Sequence, residues 1–264
     1  QDKKPDDTRI LFIELATKFS DKQWHKQKVH LLLSALKHFA QELREEGFEV
    51  DYRIARNLNE GVKAHKRDFD VTHVIAMEPM NWNGKKILEN LDIELVRNNQ
   101  FLCHYEDFAE WTKTKTKFKM EDFYRWQRKR LDILMDGSTP CEGKWNFDHD
   151  NRERPPRDGR EWPPITLFEH DDIDSDILQN LDDFWGAYPK GVWPVTREQA
   201  LIRLDEFVNG ALQPFGPYED AMLGKEWKLA HSVLSSSLNI GLLHPMEVVR
   251  AVEQAYIDGE APIN

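Results

Sequence analysis

The stretch RILFIELATKFSDKQWHKQKVHLLLSALKHFAQELREEGFEVDYRI (Arg9–Ile54) decides the fold of this chain. Its first part, Arg9–Leu15, is crowded with branched and aromatic residues, which is typical of a strand buried on both faces. From about Gln23 to Glu46 the apolar residues recur at helical spacing. Gly47 is a natural stop for this helix, and FEVDYRI (Phe48–Ile54) predicts a second strand.

The same pattern continues beyond this stretch. VTHVIAM (Val71–Met77) and LDIELV (Leu91–Val96) predict two further strands, with a short helix around Lys85–Asn90 between them. Strands that alternate with helices favour a parallel sheet with right-handed crossovers. We therefore predict an α/β domain with a parallel, Rossmann-like sheet over residues 1–100.

Polar residues follow two of the predicted strands. Glu14 lies near the end of the first strand, and the turn MEPMNW (Met77–Trp82) follows the third. Ligands of parallel sheets bind beyond the carboxyl ends of the strands, so these residues are candidates for a ligand site. Ordinary strand-exit turns explain them equally well, and the sequence leaves both interpretations open.

Composition limits the class of protein. The chain has 264 residues, 40% of them apolar and 31% charged, which predicts one or two folded domains rather than a disordered chain. The formal net charge of −11 argues against a general nucleic-acid coat but leaves room for a local basic surface. No run approaches the ~18 apolar residues of a membrane helix, and QDKKPDDTR lacks the apolar region of a signal peptide.

The two cysteines, Cys103 and Cys141, form no CxxC motif. This spacing argues against a structural zinc or iron–sulfur site built within this chain. A reducing compartment is the default for so few cysteines, and we expect a cytoplasmic protein.

The second part of the chain is predicted to be helical. Two helical segments follow the α/β domain, and the loop over residues 136–164 is rich in proline. We predict that 101–194 is a connector of helices and loops, and that 195–264 begins a helical domain. Pro245 suits the first turn of a helix that ends before Gly259.

The segment Lys113–Arg130 combines eight lysines and arginines with interleaved aromatic residues, opposed by Glu121 and Asp122. Such a segment can hold a nucleic-acid backbone. A solvated helix face with its aromatic residues in the core is the alternative, and it stays open.

The segment HDDIDSD (His170–Asp176) alternates aspartates like the start of a calcium loop, but it lacks the glycine and the terminal glutamate of such loops. We predict a solvated acidic loop that caps the next helix. His25, His30, His38 and His65 are scattered without metal-ligand spacing, and we interpret His30 and His38 as packed or exposed helix residues.

Hydroxyl groups cluster in AHSVLSSSLNIGLLHP (Ala230–Pro245), at a predicted helix start. Free backbone N–H groups and hydroxyls at such a position form an anion site, for which a cofactor pyrophosphate is a natural guest. A serine-rich capping segment is the alternative interpretation.

Several long segments together resemble the photolyase/cryptochrome superfamily, in particular its iron–sulfur bacterial branch of deoxyribodipyrimidine photolyase-related proteins, which includes prokaryotic (6-4) photolyases. They are HKQKVHLLLSALKHFAQELREEGFEVDY, KMEDFYRWQRKRLDILMDGSTPCEGKWNFDHDNRE and FGPYEDAMLGKEWKLAHSVLSSSLNIGLLHPMEVVRAVEQAYIDGEAPIN. The resemblance covers nearly the whole chain in order, and KWNFDHDNR is its most specific motif. It implies an antenna-type α/β domain followed by the start of an all-helical FAD-binding domain.

The resemblance also implies a function. The parent protein would be a blue-light-dependent flavoprotein DNA photolyase that acts on UV-damaged DNA, with (6-4) photoproducts favoured, by electron transfer from reduced FAD. A cryptochrome-like photoreceptor without repair activity is the first alternative. An α/β nucleotide-binding module without light chemistry is the second.

The segment HSVLS resembles the stretch of the superfamily that wraps the FAD phosphates. The resemblance therefore implies that backbone N–H and hydroxyl groups here bind the cofactor. The implied residues are Tyr218, His231, Ser232, Val233, Leu234 and Ser235.

In KWNFDHDNR the resemblance places Asp148 near the mouth of the lesion site, with Asp220 in the same neighbourhood. Two carboxylates that face a DNA phosphate repel it unless a divalent cation bridges them. We therefore hypothesise a Mg²⁺ site at Asp148 and Asp220. Trp145 and Phe147 are expected to anchor their loop onto the helical domain.

In the branch, the stretch after the first strand helps to hold a lumazine-type antenna with an acidic and an aromatic residue. This chain keeps Glu14, His25 and Lys28 but has Lys18 and Asp21 where those two residues fall.

Members of the branch are considerably longer than this chain. We therefore expect a fragment that lacks the first strand and the C-terminal half, where the 4Fe-4S cluster ligands belong, and that is inactive alone.

Overall fold

The computed structural model describes residues 5–20, 22–113 and 115–264, which form two compact units. The first unit, called the α/β unit below, extends to Asn98 and includes Leu167–Thr196. The second, called the helical unit, comprises Asn99–Thr166 and Arg197–Asn264. The predicted connector, 101–194, thus contributes residues to both units.

Strands and helices alternate at first and give way to helices later in the chain. The first elements are β1 (Arg9–Leu15), α1 (Lys26–Glu45), β2 (Glu49–Ala55), α2 (Leu58–Phe69), β3 (Ile75–Met77), α3 (Trp82–Glu89) and β4 (Glu94–Val96). The next are α4 (Tyr105–Thr112), α5 (Met120–Leu131), β5 (Met135–Asp136), β6 (Thr139–Pro140) and α6 (Asp172–Leu178). The last are α7 (Arg197–Glu206), α8 (Leu212–Phe215), α9 (Ser235–Asn239) and α10 (Pro245–Ile257), with a π-helical turn at Phe207–Ala211 between α7 and α8. The predicted combination of α/β and helical parts is confirmed.

The pairing of the long strands is parallel, as predicted. β1 pairs with β2 from Arg9 opposite Glu49 to Leu15 opposite Ala55, and β3 pairs with β4. The predicted third and fourth strands are real but shorter than expected.

The four strands form two two-stranded sheets instead of one continuous sheet. A cavity of about 1250 Å³ is lined by residues of both β1 and β3, including Ile10, Leu11, Ile75 and Ala76. The backbones of β1 and β3 are not paired, and both strands contribute to the lining of this cavity.

The apolar stripe of α1 packs onto α6, which the chain contributes more than a hundred residues later. Trp24, Val29, Ile177 and Leu181 form the buried centre of this contact. The His25 side chain caps α1 by accepting a hydrogen bond from the Gln27 N–H. Residues that the sequence assigned to a connector thus complete the core of the α/β unit.

The helical unit has a core of its own, built from α7, α8, α9 and α10 and the turns between them. Its buried residues are Ala200, Leu204, Phe207, Ala211, Leu212, Leu234, Leu243 and Ala255. α10 begins with the predicted Pro245, behind a capping box of His244 and Glu247, and Gly259 follows its end with a φ of +74°. Within the described residues, no helix combines the length and the apolar character that crossing a membrane requires.

Candidate functional site

The start of α9 carries unsatisfied polar groups. Leu234 is the N-cap residue and provides no side-chain hydrogen bond to the helix, so the first N–H groups of α9 lack a side-chain cap. The hydroxyl oxygens of Ser236 and Ser237 are buried, and no described residue hydrogen-bonds to them. The Ser232 hydroxyl accepts a 3.4 Å hydrogen bond from the Leu234 N–H. This arrangement of donors can bind an anion.

The backbone before α9 adopts left-handed conformations at two apolar residues. Leu229 has a φ of +49° and Val233 a φ of +56°. A positive φ is unusual for any residue other than glycine and is least compatible with a β-branched side chain such as Val233. The buried neighbours Ala230 and Leu234 hold this conformation in place.

Two of the predicted cofactor residues lie in different surroundings. The His231 ring packs edge-on against Phe215 at a centroid distance of 6.2 Å. The Tyr218 ring contacts Trp162 at 5.6 Å and lines a cleft of about 670 Å³ together with Arg160. None of the residues that line this cleft belongs to the serine segment, His231–Ser237.

Asp148 and Asp220 are both exposed, and the two chain segments that carry them lie side by side. The Glu153 N–H donates a 2.9 Å hydrogen bond to the Pro217 carbonyl oxygen. The Nε atom of Arg152 lies 3.9 Å from Oδ2 of Asp220. Within the described part of the chain, neither aspartate belongs to a group of three or more residues that could ligate one ion. Their exposure suits a hydrated Mg²⁺, which needs only one or two carboxylates.

The loop of the KWNFDHDNR motif is fixed to α5 through Trp145. Arg128 donates a 3.1 Å hydrogen bond to the Trp145 carbonyl. Three cations of α5 lie 5.3–5.5 Å from the Trp145 ring centroid, namely those of Arg125, Arg128 and Lys129. Trp145 thus anchors this loop, but onto α5, which lies in the predicted connector and not in the predicted helical domain. Phe147 contacts Lys144 of the same loop.

The aromatic residues of the basic segment pack together, as one of its two interpretations expected, and nucleic-acid binding stays a prediction. Trp111, Phe123 and Trp126 pack against one another with centroid distances of 5.3–5.9 Å. Arg125 and Lys129 line an adjacent groove of about 490 Å³. The expectation of a solvated basic face is wrong for Arg128, which is buried and donates hydrogen bonds to three backbone carbonyls.

The strand-exit residues have structural partners. The Tyr52 hydroxyl donates a 2.5 Å hydrogen bond to Glu14, and burial together with Glu14 raises the pKa of Tyr52 well above its usual range. Glu78, in the turn after β3, is buried and accepts from the Asn98 N–H. Asp21, one of the two positions where this chain departs from the antenna-binding pattern, lies outside the described residues.

The acidic segment caps α6 as predicted, since the side chains of Asp171 and Asp174 each accept from the other's N–H. The expectation of a solvated loop is wrong for Asp174, whose side chain is 2% exposed. The histidines have no metal-ligand spacing in the sequence, but the fold brings His38 within reach of both aspartates. No local signal could reveal this cluster, since 133 residues separate His38 from Asp171.

Cys103 and Cys141 form no disulfide, and neither belongs to a group of three or more possible ligands among the described residues.

Comparison with known proteins identifies the family of this chain. A sequence model of the family described as deoxyribodipyrimidine photo-lyase-related protein matches residues 1–188. A (6-4) photolyase of Agrobacterium fabrum (strain C58 / ATCC 33970) is 33% identical over 279 aligned positions, which cover 100% of this chain and 54% of that protein. The uncharacterized protein R852 of Acanthamoeba polyphaga mimivirus is 27% identical over 165 residues, which cover 55% of this chain and 82% of that protein.

The chain thus spans about half the length of the Agrobacterium protein. Asp148 lies inside the region that the family model matches, whereas Asp220 and the serine segment lie beyond it and are covered by the Agrobacterium alignment. With more than half of its residues matched, the chain belongs to the family of deoxyribodipyrimidine photo-lyase-related proteins.

Proposed function

We propose that this chain is part of a blue-light-dependent flavoprotein that repairs UV-damaged DNA, with (6-4) photoproducts as the favoured lesions. The observation that carries the proposal is its similarity to a (6-4) photolyase along its whole length. When bound, reduced FAD supplies the photo-excited electron that splits the lesion. The residues of this chain contribute binding, orientation and electrostatics.

The serine segment is the proposed wall of the flavin site. The uncapped start of α9 and the buried hydroxyls of Ser236 and Ser237 are suited to phosphate oxygens, because both offer donors that the protein itself leaves unsatisfied. In this proposal His231–Ser235 approach the phosphates through their backbone, and the positive φ of Val233 turns the chain at that point. Tyr218 is proposed as a more distant flavin contact.

DNA is proposed to bind the basic surface of α5 and the loop held by Trp145. Arg125 and Lys129 are available there for phosphate contacts, which supply most of the affinity of such proteins. Asp148 and Asp220 would repel a phosphate, so a bridging Mg²⁺ is proposed between them and the DNA backbone. The iron–sulfur cluster of the branch has no proposed ligands in this chain.

Flavin binding is tested by titrating the purified chain with FAD and following the flavin fluorescence and visible spectrum. We expect saturable binding that weakens when Ser236 and Ser237 are both replaced by Ala. Ser138→Ala, at an exposed turn, is the matched control and should bind FAD like the wild type. Equal FAD affinity of the double variant and the wild type would remove the proposed wall.

Repair is tested with the natural protein that carries this sequence and an oligonucleotide with a single (6-4) photoproduct. Restoration of the bases in blue light but not in darkness supports the proposal. A flavin-containing protein that leaves the lesion intact would favour the cryptochrome-like photoreceptor. A protein that binds no flavin would contradict both.

The Mg²⁺ site is tested by measuring binding to the same oligonucleotide with and without Mg²⁺. We expect Mg²⁺ to strengthen binding by the wild type and not by a variant with Asp148→Asn and Asp220→Asn. Asp183→Asn, at another exposed position, should keep the Mg²⁺ effect. Identical Mg²⁺ dependence of the double variant and the wild type would exclude the site.

A further inference from the structure

Histidine and aspartate side chains meet where α1 packs against the start of α6. His30, Ser34 and His38 are spaced four residues apart and therefore lie on one face of α1. His38 Nε2 is 2.9 Å from Asp171 Oδ2, and His30 Nε2 is 3.1 Å from Asp174 Oδ1. The nitrogen of His38 and one oxygen from each aspartate all lie within 4.8 Å of one another.

The orientation of His38 is fixed by its second ring nitrogen. Nδ1 lies 2.8 Å from the Ser34 carbonyl oxygen, which can only accept, so Nδ1 must carry the hydrogen. In the neutral ring, Nε2 then presents a lone pair to the carboxylate of Asp171. Two acceptors at this distance repel each other unless a proton or a metal ion lies between them. Metal-bound histidines are oriented by the same kind of hydrogen bond to a carbonyl.

The two carboxylates are also held in place. Asp171 Oδ1 and Asp174 Oδ2 accept hydrogen bonds from backbone N–H groups in the capping box of α6. The remaining oxygens, Asp171 Oδ2 and Asp174 Oδ1, are the ones that face the histidines. Each aspartate therefore offers one oriented oxygen to a shared point.

A buried group without a hydrogen-bond partner points into this cluster. His30 is 4% exposed, and its Nε2 and the facing Asp174 Oδ1 are close but lack hydrogen-bond geometry. The nearby Ser34 hydroxyl is buried and also lacks a hydrogen-bond partner among the described residues. Buried polar atoms are nearly always satisfied by protein, water or an ion, so this grouping requires an explanation.

We infer that His30, His38, Asp171 and Asp174 bind a divalent transition-metal ion such as Zn²⁺. Four ligands at about 2.0–2.2 Å in a tetrahedron are separated from one another by roughly 3.3–3.5 Å. The two measured nitrogen–oxygen distances are slightly shorter. His38, Asp171 and Asp174 already have their ligand atoms within 4.8 Å of one another, whereas the His30 ring must move toward the other three to become the fourth ligand. Two imidazoles and two carboxylates favour Zn²⁺ or Co²⁺ over Mg²⁺ and Ca²⁺, which prefer oxygen alone.

The four side chains differ in their exposure to solvent. The Asp171 side chain is 56% exposed, whereas the other ligands lie inward. An ion can therefore enter past Asp171 and is then enclosed by α1 and α6. A metal ion at this site would link α1 to α6, which is distant in sequence. Metal binding here would not depend on flavin binding.

The test uses the full 264-residue chain without an affinity tag, stripped with EDTA and titrated with Co²⁺. We expect one equivalent of Co²⁺ to give the intense visible bands of tetrahedral coordination, and Zn²⁺ to displace it. His38→Ala and Asp171→Asn should each weaken Co²⁺ affinity by tenfold or more, and Asp171→Asn keeps the oxygen that caps α6. The matched control is His73→Ala, which removes an exposed histidine 2.9 Å from Glu94.

The wild type alone can overturn the proposal, whatever the folding of the variants. A wild-type chain that binds no stoichiometric Co²⁺ or Zn²⁺ shows that protons alone satisfy the cluster. Unchanged affinity in folded His38→Ala and Asp171→Asn chains would place any bound ion elsewhere. Loss of affinity in His73→Ala as well would show that binding is not specific to this cluster.

Discussion

Asp174→Asn removes one charge from the interior of the α/β unit without changing the size of the side chain. The wild-type carboxylate lies 3.1 Å from His30 Nε2 and is almost completely buried. Burial disfavours its charged form, but the nearby rings of His30 and His38 outweigh burial and lower the pKa of Asp174 to about 2. Its ordinary pKa is 3.8, and a difference of nearly two pH units corresponds to about 2 kcal/mol of stability.

The direction of the pKa shift determines the pH range in which the Asp174 carboxylate stabilises the fold. The folded-state pKa lies below the unfolded value, so the charged carboxylate contributes its full stabilisation above about pH 4 and loses it as the pH falls toward about 2. The substitution should therefore lower the free energy of unfolding by about 2 kcal/mol at neutral pH. The difference between variant and wild type should shrink on acidification. Asn keeps a side-chain oxygen that can accept from the Asp171 N–H, which isolates the effect of the charge.

The assay is urea unfolding followed by circular dichroism, in the presence of EDTA so that no metal ion contributes. It is performed on wild type and variant from neutral pH down to about pH 3, which lies inside the sensitive range. Asp183→Asn, at an exposed position, should stay within about 0.5 kcal/mol of the wild type. A variant as stable as the wild type at neutral pH would refute the reasoning, and so would a difference that persists unchanged into acid.

Three further predictions concern the helical unit and are measured by the same urea unfolding. Leu243→Ala, at a fully buried position, should cost about 2–5 kcal/mol, whereas Leu201→Ala, at a 40% exposed position, should cost under about 0.5 kcal/mol; equal costs would contradict the described core. Asp132→Gly should raise the free energy of unfolding by up to about 1 kcal/mol, because Asp132 has a φ of +51°, a conformation that glycine adopts without strain. The control Asp258→Gly should lower it, because Asp258 has a φ of −76°. A change of the same sign in both variants would contradict this reasoning. Trp145→Leu should cost about 1–2 kcal/mol through the lost cation–π contacts, and an unchanged stability would exclude them.

Local periodicity explains which elements of the α/β unit could be predicted. β1 and α1 present apolar residues at the spacing of their own secondary structure, so the sequence alone indicates them. α2 was not predicted, because the residues it buries are Gly61, Val62 and His65, of which only one is a large apolar side chain. A Cβ atom on Gly61 would lie 2.7 Å from the Ile13 side chain. This glycine therefore permits close packing of α2 against β1, a role that no hydrophobic pattern reveals.

Long-range contacts explain what the sequence could not predict. The partners of α1 come from residues after Leu167, which composition indicates only as part of a proline-rich and acidic connector. The same packing brings His30 and His38 to Asp171 and Asp174, so the histidine–aspartate cluster exists only in the folded chain. Residue types and local spacing predicted the helix cap at Asp171. They did not indicate that the His38 ring of α1 lies beside it.

In the serine segment, the sequence indicated the functional groups but not the backbone conformation. Its hydroxyl groups and helix start were predicted from the residues, but the positive φ was not, because valine is among the residues least suited to that conformation. A conformation of this kind costs on the order of 1–3 kcal/mol and persists only where its surroundings impose it. The buried Leu234 and the core beneath α9 supply that constraint. This strain lies directly before the uncapped start of α9, which is its expected location if Val233 shapes a phosphate-binding turn.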